Sequence, residues 1–192
     1  MFPDEDEIHA DLAELSDVPT KRMLFWSRNS TLYRLGRRMM TERELFDAIA
    51  RKARTKFPDI SAAQVQAVAA AAVAFAYEIG GLNDTTYAET RTRSGVRSGK
   101  SKKAIAQKLS VKGISRETAQ AALEESNDLV AAAVFARKRG FGPFRRSELD
   151  EKRKIKELSA FARNGFAFEI GRAVFGMDRD EAEEIILSGM TL

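Results

Sequence analysis

Residues 109–114 read LSVKGI, and residues 161–166 read FARNGF. In both, an apolar residue stands four places before a glycine and another follows it directly. Glycine tolerates the left-handed conformation that closes a helix, and the apolar residue after it then folds back on the last turn. Ile114 should therefore meet Leu109, and Phe166 should meet Phe161. The two stretches are 52 residues apart. The same offset continues downstream, pairing Thr118 with Ile170 and Leu123 with Phe175. A shared terminator and a shared apolar register imply a repeated helical unit.

Upstream the helical signals persist. Thr41-Glu-Arg-Glu44 is a capping box, with Leu45, Phe46, Ile49 and Ala53 on one face. Phe57-Pro58 ends that helix, because the residue before a proline leaves the helical region. Ser61-Ala-Ala-Gln64 caps a second helix with Val65, Val68, Ala72, Phe75 and Ile79 inward, and Gly80-Gly81 stops it. Leu32 to Met40 reads as a shorter helix, preceded by the apolar cluster Met23-Leu24-Phe25-Trp26. No sustained period-two alternation is present and no Asn-Gly turn joins two alternating stretches, so strands are not expected.

The expected fold is all-α. It consists of three tandem three-helix units, near 31–81, 82–125 and 126–176, stacked into an elongated, curved body. A unit of about 45 residues buries too little apolar surface to stand alone, which makes stacking a physical requirement. An acidic disordered leader (1–20) and an apolar arm (21–30) precede the units, and a C-terminal helical tail (177–192) follows them.

The chain has 192 residues, no cysteine and one histidine. Disulfides and thiolate metal sites are therefore excluded, and a histidine-based triad has almost nothing to be built from. No apolar run approaches the roughly 20 residues of a membrane span, and MFPDEDEIHA lacks the basic start of a secretory signal. A cytoplasmic protein is expected. Residues 1–17 hold seven acidic residues and no lysine or arginine. The remainder then carries 32 basic against 21 acidic residues, a net +11. Such a body attracts polyanions, and the leader could screen it.

The stretch GVRSGKSKK, residues 95–103, imitates the end of a phosphate-cradling loop. It is one residue short between its glycines and lacks the strand such a loop follows. Instead Asn83-Asp84-Thr85 should cap a helix running through Tyr87 towards Arg97. Gly95 and Gly99 should end that helix, and Ser101 should cap the next. Six basic residues fall here, Arg91, Arg93, Arg97, Lys100, Lys102 and Lys103, with no acidic one among them. A second cluster, Arg137, Lys138 and Arg139 with Arg145 and Arg146, brackets Gly140-Phe-Gly-Pro-Phe144. Either could be a solvated helix end, where cations favour the C-terminal dipole. Together they favour a surface that faces a polyanion.

A rival reading is a DNA-reading helix-turn-helix over Ile105–Leu123, presenting Arg116, Glu117 and Gln120 to base edges. Its counterpart in the third unit, Phe166-Ala-Phe-Glu-Ile170, presents aromatics, which points to an architectural device. Catalysis is not expected. Glu124-Glu125, Asp180-Glu181 and Glu183-Glu184 have no histidine or cysteine to complete a site. They also lack the Glu-x-x-His spacing of carboxylate bundles, so neither metal nor cofactor is expected.

Several of these motifs resemble a known family. Leu35-Gly-Arg37-Arg38-Met-Met-Thr41-Glu-Arg-Glu44-Leu45 resembles the first-unit signature of the RecX family of recombinase regulators. Gly81-Leu82-Asn83-Asp84, with Tyr87-Ala88, is similar to its junction between units. Arg97 to Ile105 and Lys108 to Ile114 are similar to the second-unit pattern, and Arg163-Asn-Gly165-Phe166 through Phe175 to the third. The match covers about residues 31–176. Phe57-Pro58, the mid-helix Gly36 and the Gly-Phe-Gly-Pro-Phe break depart from the pattern, and residues 1–30 and those past Met177 lie outside it.

The resemblance implies a non-enzymatic regulator that binds the RecA–DNA filament and inhibits RecA's recombinase and ATPase activities, modulating DNA repair and recombination. Its partner would be the RecA filament, with weak, non-specific contact to single- or double-stranded DNA, no membrane, and a monomeric state. The contacts would fall on the two basic clusters. The alternative is a helix-turn-helix DNA-binding protein acting independently of RecA.

Overall fold

The structure, a computed structural model, describes residues 17–190. The leader expected over 1–20 lies mostly outside the described residues. Among those described, the fold is all-α, with ten helices, one 3-10 turn and no strand. Two compact units divide between Asp84 and Thr85.

The first unit holds α1 (Lys21–Leu35), α2 (Glu42–Lys56) and α3 (Ala62–Glu78). Both capping boxes form. Thr41 Oγ1 accepts from the Glu44 N–H at 3.1 Å while Glu44 Oε2 accepts from the Thr41 N–H at 3.4 Å. Ser61 and Gln64 reciprocate at 3.1 Å in each direction. Leu45 and Ile49 of α2 pack on Val65, Val68, Ala69 and Ala72 of α3, all buried. The alanines let the two helices approach closely, and Phe57-Pro58 turns the chain between them.

Two expectations change here. The apolar arm and the helix expected over Leu32–Met40 are not separate: one helix, α1, runs from Lys21 to Leu35. Its four contiguous apolar residues wrap around the helix, leaving Phe25 exposed while Trp26 meets Phe57 edge-on at 5.4 Å. The residues it buries are polar, Ser27 and Thr31, whose hydroxyls donate to the Leu24 and Ser27 carbonyls at 2.8 Å each. Such self-bonding hydroxyls bury without penalty but carry no apolar signal. Asp84 also does more than begin a helix. Its Oδ1 accepts from the Glu42 N–H at the start of α2, 3.2 Å away.

The second unit begins with α4 (Asp84–Arg97), α5 (Lys102–Val111) and α6 (Arg116–Glu124). It continues with α7 (Asp128–Arg139), a 3-10 turn (Gly142–Phe144), α8 (Glu151–Arg163), α9 (Phe168–Gly176) and α10 (Arg179–Met190). Both terminators form as their spacing requires. Gly113 and Gly165 sit at φ +86° and +83°. The Ile114 N–H then donates to the Leu109 carbonyl at 3.1 Å, and that of Phe166 to Phe161 at 3.2 Å. All four apolar residues are buried. The 52-residue offset carries α6 onto α9 residue for residue, 116–124 against 168–176.

The core of this unit is α7, whose residues 130–136 are all buried. A helix apolar all round must be enclosed on every side. It packs against α9, α10 and the 3-10 turn, and its Phe135 ring meets Phe161, Phe166 and Phe141. The α4–α5 turn closes on the same helix. A Cβ at Gly99 would lie 2.8 Å from the Phe135 nitrogen, so only glycine fits. Gly95 differs from expectation: it lies inside α4, pressed against the Ile105 side chain, and Gly99 alone ends the helix. Ser101 caps α5 through the Ala104 N–H and donates its own proton to the Asn164 carbonyl at 2.7 Å. One hydroxyl thus ties the second helical repeat to the third.

Candidate polyanion-facing surface

Four of the six cations of the first cluster, Arg91, Arg93, Arg97 and Lys103, stand exposed on α4 and at the start of α5. Arg91 lies over the buried Tyr87 ring, 5.0 Å from its centroid, which orients its guanidinium. Lys102 is half-buried, and its Nζ donates to the Glu124 carbonyl at 3.4 Å. There it closes the C-terminus of α6.

The second cluster divides. Arg137, Lys138 and Arg139 form the last turn of α7, all exposed, and Arg139 lies over the Phe135 ring at 5.8 Å. Lys138 Nζ donates to the Ser98 carbonyl at 3.2 Å. That bond sets the basic end of α7 against the α4–α5 turn and joins the two clusters on one face. Arg146 is exposed nearby in sequence.

Arg145 leaves the set. It was expected as a docking cation, yet its Nε and Nη2 donate to the Glu157 carboxylate at 2.9 and 2.7 Å. Its guanidinium also covers the Phe175 ring at 5.0 Å. Glu157, 1% exposed, additionally accepts from the Gly142 N–H at 2.9 Å and from Arg153 at 3.3 Å. A cation held this way locks the 3-10 turn to α8 and has no charge to offer a partner.

The pattern of clusters missed Lys108, in the last turn of α5, and Lys112, the residue that follows that helix as its C-cap. Lys108 lines the same groove as Lys100. The Lys100 ammonium is held below its ordinary value, first by the approach of the Lys108 side chain, then by burial and by the charges of Lys108, Lys138 and Arg91. Lys100 precedes the helix and Lys108 lies near its end, so helical spacing gave no sign that they share a groove.

Two grooves flank α5. One, of about 600 Å³ against α4, is lined by Arg91, Lys100, Lys108 and Lys112 over Tyr87, Ile105 and Leu109. The other, of about 570 Å³ against α6, is lined by Lys102, Lys103 and Arg116 beside Ile114 and Leu123. Among the described residues that line them, neither groove has a carboxylate. Arg116 and Gln120, the side chains of the helix-turn-helix reading, line the second groove. Helix α5 is thus a ridge with cations down both sides, and such a surface concentrates anions from solution.

Residues 83–123 match the family model described as RecX, second three-helix domain. The chain is 66% identical over 168 residues to the regulatory protein RecX of Agrobacterium fabrum, covering 88% of this chain and 91% of that protein. It is 34% identical over 163 residues to the regulatory protein RecX of Myxococcus xanthus, covering 81% and 87% respectively. In fold it is similar to the crystal structure of RecX from Lactobacillus salivarius. The TM-score is 0.62 at 19% identity, over 86% of this chain and 99% of that one.

Proposed function

The chain belongs to the RecX family of regulatory proteins, and on that premise we propose that it binds the RecA–DNA filament and inhibits RecA's recombinase and ATPase activities. The observation that carries the reading is the Lys138–Ser98 bond. It supports a single basic face built from Arg91, Arg93, Arg97, Lys100, Lys103, Arg137, Lys138 and Arg139, with Lys108 added. A nucleoprotein filament presents phosphates and acidic side chains, and such a face steers towards it over a Debye length. Inhibition is steric: the helical body occupies space that filament growth and strand exchange need, and no residue of it performs chemistry. In this reading the protein acts as a monomer in the cytoplasm, touching DNA only weakly and without sequence preference.

The test is charge reversal on the shared face. The triple variant Arg97→Glu, Lys100→Glu, Lys138→Glu should keep its helicity by circular dichroism. It should lose co-sedimentation with RecA filaments on single-stranded DNA and lose inhibition of their ATP hydrolysis. Inhibition unchanged in a folded triple variant would end the reading of this face.

A further inference from the structure

We propose that the outward face of α1 is a docking surface for the chain's own acidic segment, residues 1–16. Both lie within the first unit, and the contact stands apart from the filament reading because it needs no RecA.

Helix α1 is built the opposite way from its neighbours. The buried residues of α2 are all apolar, whereas α1 buries Ser27 and Thr31 and turns large apolar groups to solvent. Phe25, Leu32 and Tyr33 are 69%, 50% and 65% exposed. Their spacing of seven and eight residues puts them on one side of the helix. Lys21, Arg22 and Arg28 stand exposed around Phe25, three or four residues from it. Arg37, just past the helix, donates to Tyr33 Oη at 2.6 Å and lies over its ring at 5.4 Å. Residues 18–41 hold six basic residues and no acidic one. An apolar centre rimmed by cations is the anatomy of an interface: the centre is buried on contact, and the rim selects the charge of what covers it.

Charge, spacing and tether choose the occupant. Residues 1–16 carry Asp4, Glu5, Asp6, Glu7, Asp11 and Glu14 and no lysine or arginine, the complement of the α1 rim. They also carry Ile8, Leu12 and Leu15, at the four-and-three spacing of one helical face. The step of seven from Ile8 to Leu15 equals the step from Phe25 to Leu32. The point where the segment joins the fold is fixed. The Asp17 Oδ1 accepts from Ser61 Oγ at 2.9 Å, and the Val18 carbonyl accepts from Gln64 Nε2 at 3.0 Å. Helix α1 begins at Lys21, so the segment can double back along it, Leu15 towards Phe25 and Ile8 towards Leu32. Sixteen residues span roughly 24 Å even when helical, enough for the roughly 22 Å of α1. A tether this short keeps the segment at a high effective concentration, so modest contacts suffice. A second copy of the α1 face would instead set cations against cations.

The chain has no cysteine, so Ala10→Cys in the full chain accepts a single nitroxide, off the face of Ile8, Leu12 and Leu15. In NMR spectra of the isotope-enriched protein, the label should broaden the amide signals of Phe25, Arg28 and Leu32. Those of Asp47 and Arg51, exposed on α2, should stay sharp. Raising salt from about 50 to 500 mM should weaken the broadening, because it screens the rim. Phe25→Ser combined with Leu32→Ser changes exposed positions only and should keep the helicity seen by circular dichroism. It should also abolish the difference between α1 and α2. When labelled chain without isotope is mixed with unlabelled enriched chain, the α1 signals should stay sharp. Broadening in that mixture would overturn the proposal by making the occupant a second copy. So would no broadening on α1, equal broadening on α1 and α2, or broadening that survives in the folded double variant.

Discussion

Arg145 and Glu157 meet through two hydrogen bonds, at 2.7 and 2.9 Å, with Glu157 almost wholly withdrawn from solvent. Without Arg145 the buried carboxylate keeps only the Gly142 N–H and the longer Arg153 contact at 3.3 Å. A buried charge left wholly unpaired costs about 3–5 kcal/mol, and Arg153 offsets part of that here. Arg145→Met should therefore destabilise the chain by about 2 kcal/mol or more, read from urea unfolding. Arg146→Met, one residue on and exposed, should stay within about 0.5 kcal/mol of wild type. Equal effects of the two variants would show that the pair does not hold the fold.

The same carboxylate sets an acid limit. Burial alone would raise the Glu157 carboxyl, but the bonds from Arg145 and the Gly142 N–H and the charge of Arg145 outweigh it and hold it below its ordinary 4.5. A group whose folded value is depressed adds stability above its unfolded value and loses it as pH falls through the folded one. Stability of the wild type should therefore decline from about pH 4.5 downward. Arg145→Met should lessen that slope, since the Arg145 bonds and charge no longer depress the carboxyl and only the bonds from the Gly142 N–H and Arg153 remain. Parallel pH profiles of the two proteins would contradict this.

Gly165 and Gly80 share a left-handed backbone state with different surroundings. They sit at φ +83° and +66°, where a side chain costs about 1–2 kcal/mol. At Gly165 a Cβ would also lie 2.7 Å from Ser101 Oγ, the hydroxyl that bonds Asn164, whereas at Gly80 it would meet nothing within 4 Å. Gly165→Ala should thus lower the melting temperature clearly more than Gly80→Ala does. A larger loss at Gly80 would mean that the Ser101 contact yields freely.

The docking face separates residues that look alike in sequence. Lys108→Glu should weaken co-sedimentation with RecA filaments about as much as Lys100→Glu, since both lysines line the α4–α5 groove. Arg146→Glu should weaken it less, and binding by every variant should fall as salt is raised from about 50 to 200 mM. Full binding by folded Lys108→Glu would remove Lys108 from the surface.

The elements that were legible in the sequence are those whose cause lies within five residues. Thr41 needs only Glu44, Ser61 needs only Gln64, and Leu109 needs only Gly113 and Ile114. Hydrogen bonds that span three to five residues form whenever the local sequence allows them, so spacing alone predicts them. The 52-residue offset carried α6 onto α9 for the same reason. Helix α1 was read less well. Its buried face is Ser27 and Thr31, and hydroxyls that bond their own helix leave the apolar pattern blank.

By itself the sequence determined the all-helical class, the caps, the glycine terminators and the repeat, because each is a bargain between near neighbours on the backbone. Only the tertiary structure decided the fate of the charges. Arg145 and Arg146 are adjacent and identical, yet packing of the 3-10 turn on α8 gives one a buried carboxylate and leaves the other in water. Lys138 and Ser98 are 40 residues apart and meet because Gly99, with no side chain, lets the α4–α5 turn close on α7 at Phe135. Charges act through space over about 10 Å, and the chain's path through space is set by the core.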